Sequence, residues 1–399
     1  MVLDKKDLRV PGFLASGIDV GIKDDGGKDL SLIFSEVPAV AAGVFTKNRF
    51  KSAPVILDME RIKKGVAQAI VANSGNANAA TGDKGYEDAL AMSEAVSSKL
   101  HIKDNLVLVA STGIIGQSLP IKKIKDGIGR LVEGLSPDGI LNAEEAIMTT
   151  DTFPKVEYRK GEIGSKEITI CGIAKGAGMI EPDMATMLSF IMTDADISRR
   201  CLDSVFRQAV DFSFNAITVD GCMSTNDTAI ILANGVAGNK PIAGPSKNLT
   251  IFKEMLFDLM VDLSKAIVRD GEGATKVIEI VVDGAKTLAD AKKVAYGIAR
   301  SNLVKTAFFG EDTNWGRIVS AVGASGVNLS TDAMELYVGE VLLFVSGKGT
   351  RVDEERLIEM MGEDYIRILV KLGMGNKSIC IYTTDLSYDY VKINAHYQT

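Results

Sequence analysis

Two apolar runs that end abruptly in small polar residues constrain this chain most. Residues 67–72 read as a buried strand, and NSGNANAATG follows at once from Asn73 to Gly82. Residues 106–110 repeat the transition and pass straight into STGIIG. A continuous apolar run of that length suits a strand covered on both faces. A small-residue loop at its end lets backbone approach another group closely, and such strand ends are where α/β proteins place ligands. The 39 glycines among 399 residues exceed the usual share of about 7%, in keeping with an α/β protein with tight connections.

Strands are also expected at residues 30–34, 39–45 and 55–57, then at 167–171, 187–192, 228–232 and 277–282. Helices fit 143–148, 196–212 and 249–268. Asp83 is placed to cap another, whose apolar face holds Tyr86, Ala89, Leu90, Val96 and Leu100. Residues 234–247, NGVAGNKPIAGPSK, break both periods and read as a linker or long loop. The last third mixes a strand-like run at 338–345, a helix near 354–361, and strands at 366–372 and 378–383. The later strands favour antiparallel pairing, so the expected fold is a mixed, layered α/β fold. A doubly wound sheet is the weaker alternative, since no GxGxxG follows an early strand.

Charge and composition exclude several functions. There are 45 Lys and Arg against 52 Asp and Glu, a net charge of −7 without basic clusters, which argues against nucleic acid as partner. His101 and His396 are the only histidines, so a catalytic zinc site or a histidine relay is a poor expectation. Cys171, Cys201, Cys222 and Cys380 show no CxxC spacing. The N-terminal MVLDKKDLRVPGF lacks an apolar signal core, and no run reaches about 18 uncharged apolar residues. The expected setting is soluble and cytoplasmic, with no membrane partner. If the chain is an enzyme, its general base is not expected to be histidine.

The densest chemical candidate is KGAGMIEPDMATMLSFIMTDA, from Lys175 to Ala195. Taken alone it reads as a glycine-rich turn feeding a strand, with Thr186 as β-branched filler. A threonine at a strand start becomes a nucleophile only if something activates it. Without a nearby histidine, the route is a threonine whose own α-amine is the base, with a pKa of about 7.7–8.0. That route requires the Ala185–Thr186 bond to be cut first.

KGAGMIEPDMATMLSF resembles the self-cleaving centre of the ornithine acetyltransferase family, the bifunctional glutamate N-acetyltransferases of arginine biosynthesis. The resemblance runs from ASGIDVGIK to the final NAHYQT, through NSGNANAATG, STGIIGQ, TTDTFPK, TVDGCMSTNDT, RDGEGATK and SNLVKTAFFGEDTNWGRI in order. It implies a layered fold of the N-terminal-nucleophile type and a precursor cut into an α chain, 1–185, and a β chain, 186–399. Thr186 is then the cleavage nucleophile and the acetyl acceptor, and Thr112 and Gly113 match the oxyanion hole. Substrate contacts carried over are Lys175, Glu272, Asn394, Thr399, Thr186 and a TTDT hydroxyl, for which Thr150 is favoured over Thr149 and Thr152. The implied reaction moves acetyl from N-acetylornithine to glutamate. No cofactor or metal is required, acetyl-CoA is a possible co-substrate, and the implied assembly is a heterotetramer of two α and two β chains.

Two positions depart from the family pattern: Cys222 stands where Asp is more usual, and His396 where an acidic residue is common. DGCMSTNDT has a metal-like spacing of Asp and Asn but lacks the EF-hand pattern, and a hydrogen-bonded turn is the expected role. Trp315 reads as a packed corner. The competing functions are an N-terminal-nucleophile aminopeptidase or amidohydrolase, which gives the acyl group to water, and a non-catalytic ligand-binding protein.

Overall fold

The computed structural model describes residues 8–24, 26–181, 187–351 and 353–396. The chain divides into two compact units. The first comprises the described residues up to Asn215 together with Cys222–Ile267, and the second comprises Ala216–Gly221 and the described residues from Val268 onward.

The first unit is built on strands β1 (Phe13–Ile18), β2 (Leu30–Phe45), β3 (Val66–Asn73), β4 (Val107–Ser111), β5 (Lys155–Ile163), β6 (Lys166–Lys175), β7 (Leu188–Thr193) and β8 (Thr228–Ala233). They form one sheet in the order β4-β3-β2-β8-β7-β6-β5, with β1 paired to β2. Only β3–β4 and β7–β8 are parallel, so the sheet is mixed and not doubly wound. β4 and β7 are buried along their whole length. On one face Leu30, Leu32, Val71 and Val109 pack with Met92, Val96, Ile124 and Leu131. These come from α2 (Gly82–Leu100) and α3 (Ile121–Glu133). On the other, Ile33, Ile70, Leu108, Ile173 and Phe190 share a core with Ile140 and Ala143 of α4 (Ile140–Glu145). Alternate residues of one strand therefore feed opposite cores, as the period of two requires. α6 (Lys247–Arg269) sits close on β6, where a Cβ at Gly172 would come within 2.9 Å of Leu259 and Leu263.

The second unit carries the sheet β12-β11-β10-β13-β9-β14. Its members are β9 (Val277–Ala285), β10 (Glu335–Val338), β11 (Val341–Val345), β12 (Lys348–Gly349), β13 (Tyr365–Lys371) and β14 (Lys377–Thr384). Only β9–β13 is parallel. Its core joins Ile278, Ile280 and Ile368 to Val294 and Ile298 of α7 (Leu288–Ala299). α8 (Asn302–Phe309), α9 (Gly316–Gly323), α10 (Glu354–Met361) and α11 (Tyr388–His396) complete it. Trp315 begins α9 and packs on Phe344, with a Cβ at Gly349 fitting no closer than 2.7 Å from its ring.

The mixed layered fold agrees with expectation, and several elements differ. The strand expected at 55–57 is helix α1 (Ala53–Arg61): Pro54 in the first turn is preset for helix, and Val55, Asp58 and Arg61 recur at helical spacing on its buried side. The run at 338–345 is a hairpin, because Gly339 at φ +55° turns the chain. Asp83 lies inside the first turn of α2, with Thr81 in the cap position. α3, α7 to α9 and α11 lie outside the expected helices. Residues 234–247 are a loop leading into α6, but both sides belong to the first unit, so the loop joins no two units. The α/β chain division at 185/186 also falls within the first unit, between β6 and β7. The expected cut would divide the polypeptide and not the compact bodies.

Candidate active site

The ends of β3 and β4 meet, and their loops are bonded to each other. The Thr112 N–H bonds to the Asn73 carbonyl at 3.0 Å, and the Ala77 N–H to Ile114 at 3.0 Å. Ser111 Oγ donates to Asn73 Oδ1 at 2.6 Å, and Asn73 Nδ2 to the Asn76 carbonyl at 2.9 Å. Gly113 adopts φ +133°, and a Cβ there would lie 2.3 Å from the Gly75 carbonyl carbon and 2.5 Å from the Asn76 nitrogen. Only glycine permits that approach. Asn226 ties both loops from a third direction, its Nδ2 donating to Ala77 at 2.6 Å and to Ser111 at 2.8 Å. The DGCMSTNDT stretch thus supplies a strut, with the Asn226 N–H also turned onto Ser224 Oγ at 3.1 Å.

With Thr112 and Ile114 N–H groups bonded to Asn73 and Gly75, the Gly113 N–H makes no hydrogen bond among the described residues. Beside it, Thr112 Oγ1 lies 3.4 Å from Lys175 Nζ. The hydroxyl accepts from that ammonium and keeps its own proton to donate. Two donors, a backbone N–H and an O–H, are therefore set side by side at the end of β4, the equipment an acyl oxyanion needs.

Lys175 ends β6 and is only 3% exposed. Its Nζ donates to Thr149 Oγ1 at 2.7 Å and lies 4.0 Å from Asp151 Oδ2. Thr150 is half-buried and its hydroxyl makes no hydrogen bond among the described residues. Asp151 is the hub of this cluster. Its carboxylate accepts from Lys155 Nζ at 2.7 Å, the Gly176 N–H at 2.6 Å and the Thr149 N–H at 2.9 Å. Burial alone would raise its pKa, but the charges of Lys175 and Lys155 and the bonds from Lys155 and Thr149 outweigh that and hold it at about 2. Lys155 is itself fully buried, and its N–H donates to Glu144 Oε1 at 3.0 Å. Burial pushes the Glu144 carboxyl up to about 8, and Oε2 has no hydrogen-bond partner among the described residues.

Asp227 approaches from β8. It is fully buried, and Oδ1 accepts from the Met187 N–H at 3.2 Å, directly after position 186. Ala185 and Thr186, the expected cleavage site and nucleophile, lie outside the described residues, as does Thr399.

The second unit holds Glu272 and Asn394. Asn394 Nδ2 donates to Glu272 Oε2 at 2.8 Å, across a separation of 122 positions. Gly273 at φ +67° lets the turn press on the start of α11, where a Cβ would meet the Tyr390 nitrogen at 2.4 Å. Ser387 Oγ bonds the Gly273 carbonyl at 2.6 Å. His101 and His396 stand at helix C-termini. The structure thus brings Thr112, Gly113 and Lys175 together in one unit and Glu272 with Asn394 in the other. Asp151, Lys155 and Asp227 were missed. TTDTFPK had been read for its hydroxyls, although an acid and a base four apart beside an apolar strand were visible there.

Among the described residues no helix is long and apolar enough to cross a membrane, and no three His, Cys, Asp or Glu side chains group as a metal site. A model of the ArgJ family matches residues 14–399. Arginine biosynthesis bifunctional protein ArgJ of Geobacter sulfurreducens is 50% identical over 393 residues, 98% of this chain and 100% of that protein. Its namesake from Caldanaerobacter subterraneus subsp. tengcongensis is 50% identical over 402 residues, 100% of both. The crystal structure of Arginine biosynthesis bifunctional protein argJ from Bacillus halodurans superposes with a TM-score of 0.52 and 40% identity, covering 53% of this chain and 100% of that one. This chain belongs to the ArgJ family.

Proposed function

We propose that the chain is a self-cleaving acetyltransferase of arginine biosynthesis that moves acetyl from N2-acetylornithine to glutamate through an ester on Thr186. The observation that carries the reading is the meeting of Gly113 N–H, Thr112 Oγ1 and Lys175 Nζ at the ends of β4 and β6, just before β7. In maturation the Thr186 hydroxyl attacks the Ala185 carbonyl, the acyl group shifts from N to O, and water hydrolyses the ester. The α-amine so freed then serves as base. In the first half-reaction Thr186 Oγ attacks the acetyl carbonyl, the amide C–N bond breaks and ornithine leaves with the proton. In the second, the glutamate amine attacks the acetyl ester, giving N-acetylglutamate and the free hydroxyl.

The Gly113 N–H and the Thr112 hydroxyl bind the oxyanion in each step. The Lys175 ammonium and a TTDT hydroxyl suit a substrate carboxylate, and Glu272, paired with Asn394 in the second unit, suits a cationic group. Geometry favours Thr149 over Thr150 for the hydroxyl, since Thr149 already holds Lys175. No cofactor or metal is needed for this exchange, acetyl-CoA is a candidate second donor, and the enzyme works in the cytoplasm as a heterotetramer of two α and two β chains.

A denaturing gel with N-terminal sequencing tests this. Two bands are expected, one beginning Thr-Met-Leu-Ser-Phe, and one band for Thr186→Ala. Folded wild-type protein that stays whole would overturn the reading. Parallel double-reciprocal lines for acetylornithine and glutamate are expected, and release of acetate in place of N-acetylglutamate would favour the hydrolase.

A further inference from the structure

Met187 is gripped on both sides. Its N–H donates to Asp227 Oδ1 at 3.2 Å, and its carbonyl accepts from the Thr228 N–H at 3.1 Å. The gripping residues are fixed in turn: the Asp227 carbonyl accepts from Thr46 N–H at 3.0 Å, where β2 ends, and Thr228 opens β8. β7 pairs in parallel with β8 from Leu188 opposite Thr228 onward. The backbone bond from Thr228 reaches only the Met187 carbonyl. The bond to a side chain adds the Met187 N–H, the amide that follows position 186.

Asp227 is an unusual choice for that task. It is 0% exposed, and Oδ2 accepts no well-aligned hydrogen bond among the described residues. Burial pushes its carboxyl well above the usual range, against the Met187 N–H, Thr46, Lys175 and Ser224, which act the other way.

We infer that Asp227 is a positioning residue for the nucleophile: by accepting from the Met187 N–H it holds the residue directly after Thr186, and through it the threonine. This rests on the acetyl-Thr186 reading and adds a residue to it. Asp227 serves both self-cleavage and acetyl transfer, because both use the same hydroxyl. Misplacing a reacting atom by about 1 Å costs on the order of 10²-fold in rate.

The test compares Asp227→Asn with Asp227→Leu in the full chain. The two replacements have nearly the same shape, and only Asn keeps an acceptor. Cleavage is followed on denaturing gels, folding by thermal unfolding, and kcat and KM on the cleaved fraction. Leu is expected to slow cleavage on the order of 10²-fold and to lower kcat with little change in KM. Asn is expected to recover most of both losses. A merely structural role would lower the melting temperature without moving kcat per folded site. Should Asp227→Leu not fold, Asp227→Glu replaces it, since one extra methylene displaces the acceptor, and Asn must still outperform it. Asn as slow as its comparator, or Leu as fast as wild type, overturns the inference. Wild-type protein that never cleaves sinks the Thr186 reading itself, which is a different result.

Discussion

Lys175 Nζ lies 2.7 Å from Thr149 Oγ1, so the hydroxyl that anchors the buried ammonium is the one before Thr150. A hydrogen bond to a charged group contributes about 1.5–3 kcal/mol. Thr149→Val should therefore raise the KM for acetylornithine roughly 10-fold or more, whereas Thr150→Val should change it little. Initial-rate kinetics on both variants decide the matter, and the reverse order would return the role to Thr150.

Gly113→Ala brings a methyl within 2.3 Å of backbone at Gly75. The loop must shift, and the Gly113 N–H, the proposed oxyanion donor, shifts with it. Loss of one such donor costs on the order of 10²–10³-fold in kcat. Self-cleavage should slow in parallel, because the same donors serve both tetrahedral intermediates. Gel densitometry against time and steady-state rates measure the two effects.

Asp151→Asn leaves the buried cations of Lys155 and Lys175 without their shared carboxylate. Breaking a buried pair in this way costs roughly 3–5 kcal/mol, which chemical denaturation would read. The pH dependence has a definite sign. The folded carboxyl titrates at about 2 and the ordinary value is 3.8, so its contribution is present above pH 3.8 and is lost as pH falls toward 2. The variant should lack that part of the acid-unfolding curve.

Glu144 acts in the opposite direction. Burial pushes its folded pKa up to about 8 from 4.5, so the folded protein keeps a proton that the unfolded chain releases. Its contribution is full below pH 4.5 and erodes as pH rises toward 8. Glu144→Gln should flatten this decline, raising stability at pH 8 relative to pH 5 by on the order of a few kcal/mol compared with wild type. Melting temperatures across pH 5 to 8 would show it, and an unchanged slope would count against a protonated Glu144.

The sheet and its cores were legible because burial leaves a pattern in sequence. β3 and β4 are continuous apolar runs, and their small-residue ends marked the loops that hold Thr112 and Gly113. Residues 55–57 misled because three apolar residues fit either period, and Pro54 was the clue to helix. The motif resemblance reached Lys175, Glu272 and Asn394, since reacting groups keep recognisable neighbours. Asp151, Lys155 and Asp227 escaped because a charge looks the same in sequence whether it is solvated or sealed in a core. What gives them meaning is the set of partners 20 to 40 positions away, such as Lys175 for Asp151 and Met187 for Asp227.

β7 is bonded to β6 along one edge and to β8 along the other. A cut just ahead of it would sever the chain and leave the sheet intact, so the products would never be free partners in search of each other. One messenger would deliver both in equal number, already mated along a strand. Exchange between molecules would require pulling β7 and β8 together out from between β6 and β2, making each pair a lasting match between siblings of one translation.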